Sequence, residues 1–297
     1  VRGGVSGARA AALPECLRSA CGMTTMSTPL STPLSAYLAR IGLTGPVGAD
    51  LESLCAIHTA HAGTIPFENL DIQSDPPRPI RVDEDGVFAK LVGEGRGGYC
   101  FEQNGLLFRM LGAIGFDVRR CLARVVWNSP VMTARTHLIV LVTLYGQDWI
   151  ADCGFGGYGL VAPLRVAPGE AQEIYGESWR VIPSERMPGL EIQVRLEGEW
   201  RSTYIVDPAE PVVDADILAA NHVTQSFPES RFVQNRIAAL NRPGERLSLL
   251  NREVKLRRGG EVTVRTLTSD AEVVAVLRSE FGLALPPGFR LKALETV

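Results

Sequence analysis

Apolar residues change their period near Gly115, and that change predicts the architecture. Leu34, Tyr37, Leu38 and Ile41 follow the i, i+3, i+4, i+7 spacing of a helix face, which Gly42 and Gly45-Pro46 bring to an end. Asp50 is placed to cap a second helix from Leu51 to about His61, with Leu51, Leu54, Cys55 and His58 on one face. Pro66 stops it, Asp75-Pro76-Pro77-Arg78-Pro79 reads as a loop, and Val82 to Val92 reads as a further short helix. A helix-compatible apolar run follows from Gly105 to Leu111. The region 28–115 is therefore expected to be mainly helical.

Beyond Gly115 the pattern shortens to that of strands. Phe116 to Val126 alternates. Thr136 to Leu144 is a strong strand, Tyr145-Gly146-Gln147-Asp148 a turn, and Trp149 to Asp152 its hairpin partner. Strands are also expected at 160–166, 178–183, 190–197 and 199–206, a spacing that suits a barrel or sandwich. Asp214 to Asn221 reads as a short helix, and Arg231 to Ile237 and Leu247 to Val254 as strands. Val254 to Arg265 reads as a hairpin turning at Gly259-Gly260. Thr268-Ser269-Asp270 caps a last helix from Ala271 to Phe281.

Composition narrows the class. The chain has 297 residues, 45% of them hydrophobic and 21% charged, ordinary values for a globular protein. A net charge of −3 offers no broad basic field for nucleic acid, and no run approaches the ~20 apolar residues that span a bilayer. Six cysteines, at 16, 21, 55, 100, 121 and 153, form no Cys-x-x-Cys pair, so neither a zinc ligand set nor a disulfide scaffold is expected. That scatter favours a reducing cytoplasm. The first 22 residues lack the continuous apolar core of a signal peptide, and Met23 and Met26 are each candidate starts, so residues 1–27 are read as a flexible extension. His58 and His61 stand three apart on one helix with no third ligand nearby, so they are expected to be core or surface histidines.

Candidate chemistry centres on Arg96-Gly97-Gly98-Tyr99-Cys100-Phe101-Glu102-Gln103-Asn104. Two glycines allow a sharp turn just before the cysteine. A helix starting near Cys100 would aim free N–H groups and its positive dipole end at the sulfur, favouring the nucleophilic thiolate. A buried structural cysteine is the competing reading. A nucleophile needs a base, and His137 opens the strongest strand. Asp152, on the hairpin partner, falls near cross-strand register with it, and a carboxylate there could orient the imidazole. Asp152 also sits between Trp149-Ile150-Ala151 and Cys153-Gly154-Phe155, where a carboxylate needs a partner to offset its desolvation. Gly154-Phe155-Gly156-Gly157-Tyr158-Gly159 formally fits a dinucleotide-binding fingerprint, but Leu160-Val161-Ala162-Pro163-Leu164 after it is no helix.

Five ordered segments resemble the arylamine N-acetyltransferase family of bacterial type. They are Ile65-Pro66-Phe67-Glu68-Asn69, the Arg96–Glu102 stretch, Thr136-His137-Leu138, Asp152-Cys153-Gly154-Phe155-Gly156, and 221–232. The resemblance implies an α+β multidomain fold: a helical bundle (28–115) bearing the cysteine, a β-barrel (116–225) bearing the histidine and aspartate, and an α/β lid (226–297). It implies a cysteine-protease-like triad with Cys100 as acetyl-accepting nucleophile, His137 as base and Asp152 as orienter. Phe67 and Phe155 would line the acceptor pocket, and Thr133, Gly156, Gly157 and Ser226 would lie near coenzyme A. Glu68 and Arg96 would pair to hold the cysteine loop. Ala134 and Phe227 depart from the glycine and small polar residue frequent at those places in the family. The activity implied is acetyl-CoA-dependent, ping-pong N-acetylation of an arylamine or arylhydrazine in the cytoplasm, with no metal, nucleic acid or membrane partner. The oligomeric state, a homo-oligomer included, stays open. The rival readings are an amide synthase or thiol hydrolase on the same triad, and a non-catalytic relative that binds coenzyme A or small aromatics.

Overall fold

The computed structural model describes residues 32–293, so the expectations for residues 1–27 lie outside the described part. Its first third is helical: α1 (Thr32–Arg40), α2 (Leu51–Thr64), the single turn α3 (Leu70–Gln73), α4 (Glu84–Phe88) continued by a π-helical turn at Ala89–Gly93, and α5 (Cys100–Ile114). Asp50 caps α2 by accepting from Ser53 N at 2.8 Å. The apolar faces of α1, α2 and α5 meet in one core around Leu38, Ile57 and Leu107.

That core extends onto an eight-stranded antiparallel sheet: β2 (Asp117–Val125), β3 (Arg135–Leu144), β4 (Gln147–Ala151), β5 (Leu164–Arg165), β6 (Ala171–Ile174), β7 (Glu177–Pro183), β8 (Leu190–Leu196) and β9 (Glu199–Val206). The strand order is β5-β4-β3-β2-β9-β8-β7-β6. Its two ends come together through one side chain. The Gln172 amide donates to Arg165 O at 2.8 Å and accepts from Arg165 N at 3.1 Å, so the sheet curls into a nearly closed barrel. Strand β3 is covered on both faces, which explains its unbroken apolar run. Ile139 and Leu141 face the barrel interior, and Val140, Val142 and Leu144 face the helices.

A second antiparallel sheet closes the fold in the order β1-β10-β11-β12-β13: β1 (Phe67–Glu68), β10 (Ile237–Arg242), β11 (Glu245–Leu250), β12 (Glu253–Arg258) and β13 (Glu261–Thr266). Helix α6 (Asp214–Ser226) joins the barrel to it, and α8 (Asp270–Ser279) packs Val273, Val276 and Leu277 on Leu240, Leu247 and Leu249. The β12–β13 hairpin turns at Gly259 and Gly260, at φ 58° and 86°. Among the described residues no helix is long and apolar enough to cross a membrane.

Several elements differ from the sequence reading. Arg231–Gln234 is the short helix α7, not a strand. Ser230 caps it by accepting from Phe232 N, and strand geometry begins only at Ile237. The expected strand Leu247–Val254 is two strands separated by Asn251, whose φ of 56° turns the chain. Helix α6 continues past Asn221 to Ser226 and so runs across the expected boundary at residue 225. Strand β1, two residues inside the helical third, belongs to the C-terminal sheet through the pairs Phe67↔Ala239 and Glu68↔Ala238.

Candidate active site

Cys100 is the first residue of α5, and the loop before it is held from both sides. Gly98 N donates to Pro66 O at 3.2 Å, and Glu68 N donates to Gly98 O at 3.0 Å. A Cβ on Gly97 would lie 2.1 Å from Pro66 O, and one on Gly98 would lie 2.6 Å from a Glu102 carboxylate oxygen. Both positions therefore require glycine for lack of space. Glu102 reaches back to accept from Tyr99 N at 3.0 Å, the backward half of a capping box.

Beneath this loop lies a buried ionic cluster. Arg96 Nη2 donates to Glu68 at 2.9 Å and to Asp71 at 3.1 Å, while Lys90 Nζ donates to Asp71 at 2.8 Å and to Glu102 at 2.7 Å. Burial opposes the charge on Asp71, yet Lys90 and Arg96 hold its carboxyl well below the usual range. The pairing of Arg96 with Glu68 matches the sequence reading, whereas Asp71 and Lys90 gave no signal there.

The barrel brings His137 and Asp152 to one face. Leu141 pairs with Ile150 and both face the barrel interior; His137 lies two strand periods before Leu141 and Asp152 one period after Ile150, so both fall on that same side. His137 Nε2 lies 2.8 Å from Asp152 Oδ2, and the pair is almost wholly removed from solvent. Nδ1 is then the nitrogen left for Cys100, which stands within hydrogen-bonding reach of the ring. Cys100 Sγ also lies 3.6 Å from Thr136 O. Burial disfavours the imidazolium, but the charge and hydrogen bond of Asp152, with Cys100 beside it, outweigh burial and leave His137 raised to about 10. Asp152 shows the complement. Burial raises it, and His137, Asn104 and Gly154 N–H together leave it below its ordinary value.

Around this pair stand further side chains, of which Asn104 and Tyr204 had no role in the sequence reading. Asn104, one helical turn after Cys100, donates to Asp152 Oδ1 at 2.8 Å and to Leu138 O at 2.6 Å. Its only sequence signal is a polar residue at i+4 from the cysteine on a buried helix face. Phe155 and Tyr204 flank the His137 ring at centroid distances of 5.5 and 4.9 Å. His58 Nε2 accepts from Asp152 N at 3.1 Å. Burial, against Asp152's charge, lowers this imidazole to about 4, so it is neutral. His61 bridges Tyr37 and Gln103 at 2.8 and 2.6 Å. Because the Gln103 amide nitrogen already donates to Ile65 O and Pro66 O, its oxygen accepts, and His61 carries its proton on Nε2. Both histidines are thus core residues with protein partners.

Gly154 seats the Asp152 loop on the nucleophile's helix. A Cβ there would lie 2.6 Å from Cys100 Cα and 2.8 Å from Asn104 Nδ2. Gly154→Ala is expected to cost about 1–3 kcal/mol in urea unfolding and to slow turnover by moving the loop off the helix. Unchanged stability and turnover would show that the seat is looser than the structure gives it.

The remaining candidates fall in two groups. Phe67 shares a buried cluster with Cys100, and Gly156 packs on the Phe67 ring. Gly157 O accepts from Arg246 Nη1 at 3.1 Å on the wall of a cleft of about 530 Å³ between barrel and C-terminal sheet. Trp127, Tyr158, Arg201 and Arg257 also line that cleft. Trp127 packs on Tyr158 at 4.8 Å and meets Phe155 at 6.4 Å, so an aromatic row runs from the cleft to His137. The hydroxyls of Thr133 and Ser226 donate to Val125 O and His222 O. The segment 221–232 reaches the cysteine loop through Asn221, which accepts from the Tyr99 hydroxyl, and the 75–82 loop through Gln225, which accepts from Ile80 N. No helix follows Gly159, which leaves the dinucleotide fingerprint without its phosphate-binding partner.

A cysteine at a helix start beside a carboxylate-bound imidazole makes this the candidate catalytic centre, and comparison with known proteins specifies the class. A family model described as N-acetyltransferase matches residues 50–289, which makes the protein an acetyltransferase. An arylamine N-acetyltransferase of Escherichia coli (strain K12) is 36% identical over 255 residues, covering 85% of this chain and 89% of the relative. The solved arylamine N-acetyltransferase from Salmonella typhimurium superposes with a TM-score of 0.82 at 32% identity, covering 88% of this chain and 94% of that one. The Mycobacterium marinum enzyme, solved in complex with CoA, gives 0.79 at 33% identity and covers 84% and 93%. The chain belongs to the arylamine N-acetyltransferase family, whose named members transfer acetyl groups to arylamines.

Proposed function

We propose that the protein acetylates arylamines and arylhydrazines by a ping-pong mechanism, with Cys100 as nucleophile, His137 as acid and base, and Asp152 as orienter. The observation that carries this reading is the buried row in which Asp152 engages His137 Nε2 at 2.8 Å and leaves Nδ1 to Cys100. In the first half-reaction Cys100 Sγ attacks the acetyl carbonyl of acetyl-CoA. The bond from the carbonyl to the coenzyme's sulfur breaks, and the departing thiolate takes the proton of the His137 imidazolium. In the second, a neutral amine nitrogen attacks the acetyl-cysteine, His137 accepts the amine proton, and Cys100 leaves as thiolate. Aromatic amines suit this step because they are uncharged near neutral pH. Burial of Cys100 and His137 limits the competing attack by water.

The cleft lined by Trp127 and Tyr158 is the donor's approach, since its aromatic row ends on Phe155 beside the imidazole. Gly156 and Gly157 border that approach, and Phe67 and Phe155 form the apolar wall for the acceptor ring. Division into a helical bundle, barrel and lid fits this scheme, with the nucleophile and its base on different units. The decisive experiment gives the enzyme acetyl-CoA alone. The peptide holding Cys100 should gain one acetyl group as one equivalent of coenzyme A appears, and added arylamine should discharge it. Release of free acetate with no transfer would favour a thiol hydrolase.

The pH dependence follows from His137. Its folded pKa of about 10 lies above the unfolded value of about 6.5, so the ion pair's stabilisation is complete below ~6.5 and lost as pH rises through about 10. Single-turnover release of coenzyme A is expected to hold level from neutral pH upward and to fall as pH passes through about 10. A fall centred near ~6.5 would mean that Asp152 does not sustain the imidazolium.

A further inference from the structure

Asn104 has its hydrogen-bonding groups divided among the parts of the site. Its Nδ2 donates to Leu138 O, on the residue next to His137, at 2.6 Å and to Asp152 Oδ1 at 2.8 Å. Its Oδ1 accepts from Cys153 N at 2.9 Å, and the side chain is fully buried. The amide can stand only one way. Reversed, it would set its oxygen against a carbonyl and a carboxylate and its NH₂ against a backbone N–H. With Asp152 Oδ1 taken by Asn104 and by Gly154 N at 2.8 Å, Oδ2 is the oxygen turned to His137. The backbone of Asn104 belongs to α5, one turn from Cys100.

We infer that Asn104 is the positioning residue that ties the nucleophile's helix to the histidine strand and the aspartate loop. It selects the carboxylate oxygen that faces His137 and fixes the spacing between Cys100 and the imidazole. The inference rests on the Cys100–His137–Asp152 reading above. Without Asn104, Asp152 loses a donor and can rotate, and burial is left to pull the imidazole toward its neutral form.

The test uses Asn104→Leu, of similar volume, and Asn104→Ala. Three readouts are taken on each: single-turnover coenzyme A release from acetyl-CoA across pH, the 15N NMR signals of the His137 ring at neutral pH, and the melting temperature. Acetyl transfer is expected to slow by about 100-fold, the scale of a misplaced reacting pair. The His137 ring should shift toward a neutral tautomer, and the high-pH fall in rate should move to lower pH. Loss of melting temperature alone, with the ring signals and the pH fall as in the wild type, overturns the inference and leaves Asn104 a packing residue. If Asn104→Leu does not fold, Asn104→Ala carries the same measurements. A wild-type His137 that is already neutral at neutral pH overturns the triad reading itself, a result read before any variant is made.

Discussion

Cys100→Ala is expected to lower arylamine acetylation by roughly 10⁴- to 10⁶-fold, the range seen when a nucleophile is removed from a coupled catalytic unit. The fold should survive. Cys100 is the first residue of α5, where its Sγ meets the His137 ring and makes a weak contact to Thr136 O at 3.6 Å, while the loop before it is held through backbone, Glu102 and Arg96. Losing one small sulfur from this partly polar seat costs little packing compared with a buried leucine. The measurement pairs turnover with thermal unfolding. Variant enzyme that keeps wild-type turnover would remove Cys100 from the chemistry, and variant enzyme that is unfolded would mean that the sulfur is structural. Cys121, buried within the barrel, provides the control. Its thiol is pushed up to about 11, chiefly by burial, so Cys121→Ala is expected to leave the acetyl-enzyme unaffected.

Arg96→Met should be the most damaging single change to the fold. It would strip Glu68 and part of Asp71 of their partner in a place closed to water, and breaking a buried pair in this way costs about 3–5 kcal/mol. Arg96→Lys restores a charge but not the reach by which one guanidinium edge serves two carboxylates, so it should recover only part of the loss. Urea titration of the three proteins gives the answer. If Arg96→Met unfolds at the wild-type midpoint, the cluster contributes nothing net and the cysteine loop is held by its backbone bonds alone.

Much of the site was legible because its chemistry is local in sequence. Gly97-Gly98 before Cys100, and an aspartate stranded among Trp149, Ile150 and Ala151, each pose a physical problem with few solutions. The register of His137 and Asp152 could be approached from the hairpin, and the alternation of β3 and β4 resolves it to one face. What stayed hidden are features completed at long range. Asn104 reads as one polar residue on an apolar helix, and only the arrival of Leu138 O and Cys153 N gives it a role. Arg231 to Ile237 reads as a strand by composition, but Ser230 caps a helical turn and Asn69 takes the carbonyls of Phe232 and Asn235. Strand β1 is two residues long, too short for any periodicity to announce it.

That short strand bears on how the enzyme is made. Phe67 pairs with Ala239, 172 positions later (239−67), while Pro66 and Glu68 on either side hold the glycine loop ahead of Cys100. A ribosome working from the N-terminus must therefore pass the whole barrel and release β10 before the segment next to the nucleophile gains its last edge. Until then the emerging chain carries Cys100 in an unfinished cradle. Any product cut short before residue 237 would be inert for the same reason, although Cys100, His137 and Asp152 are all present in it.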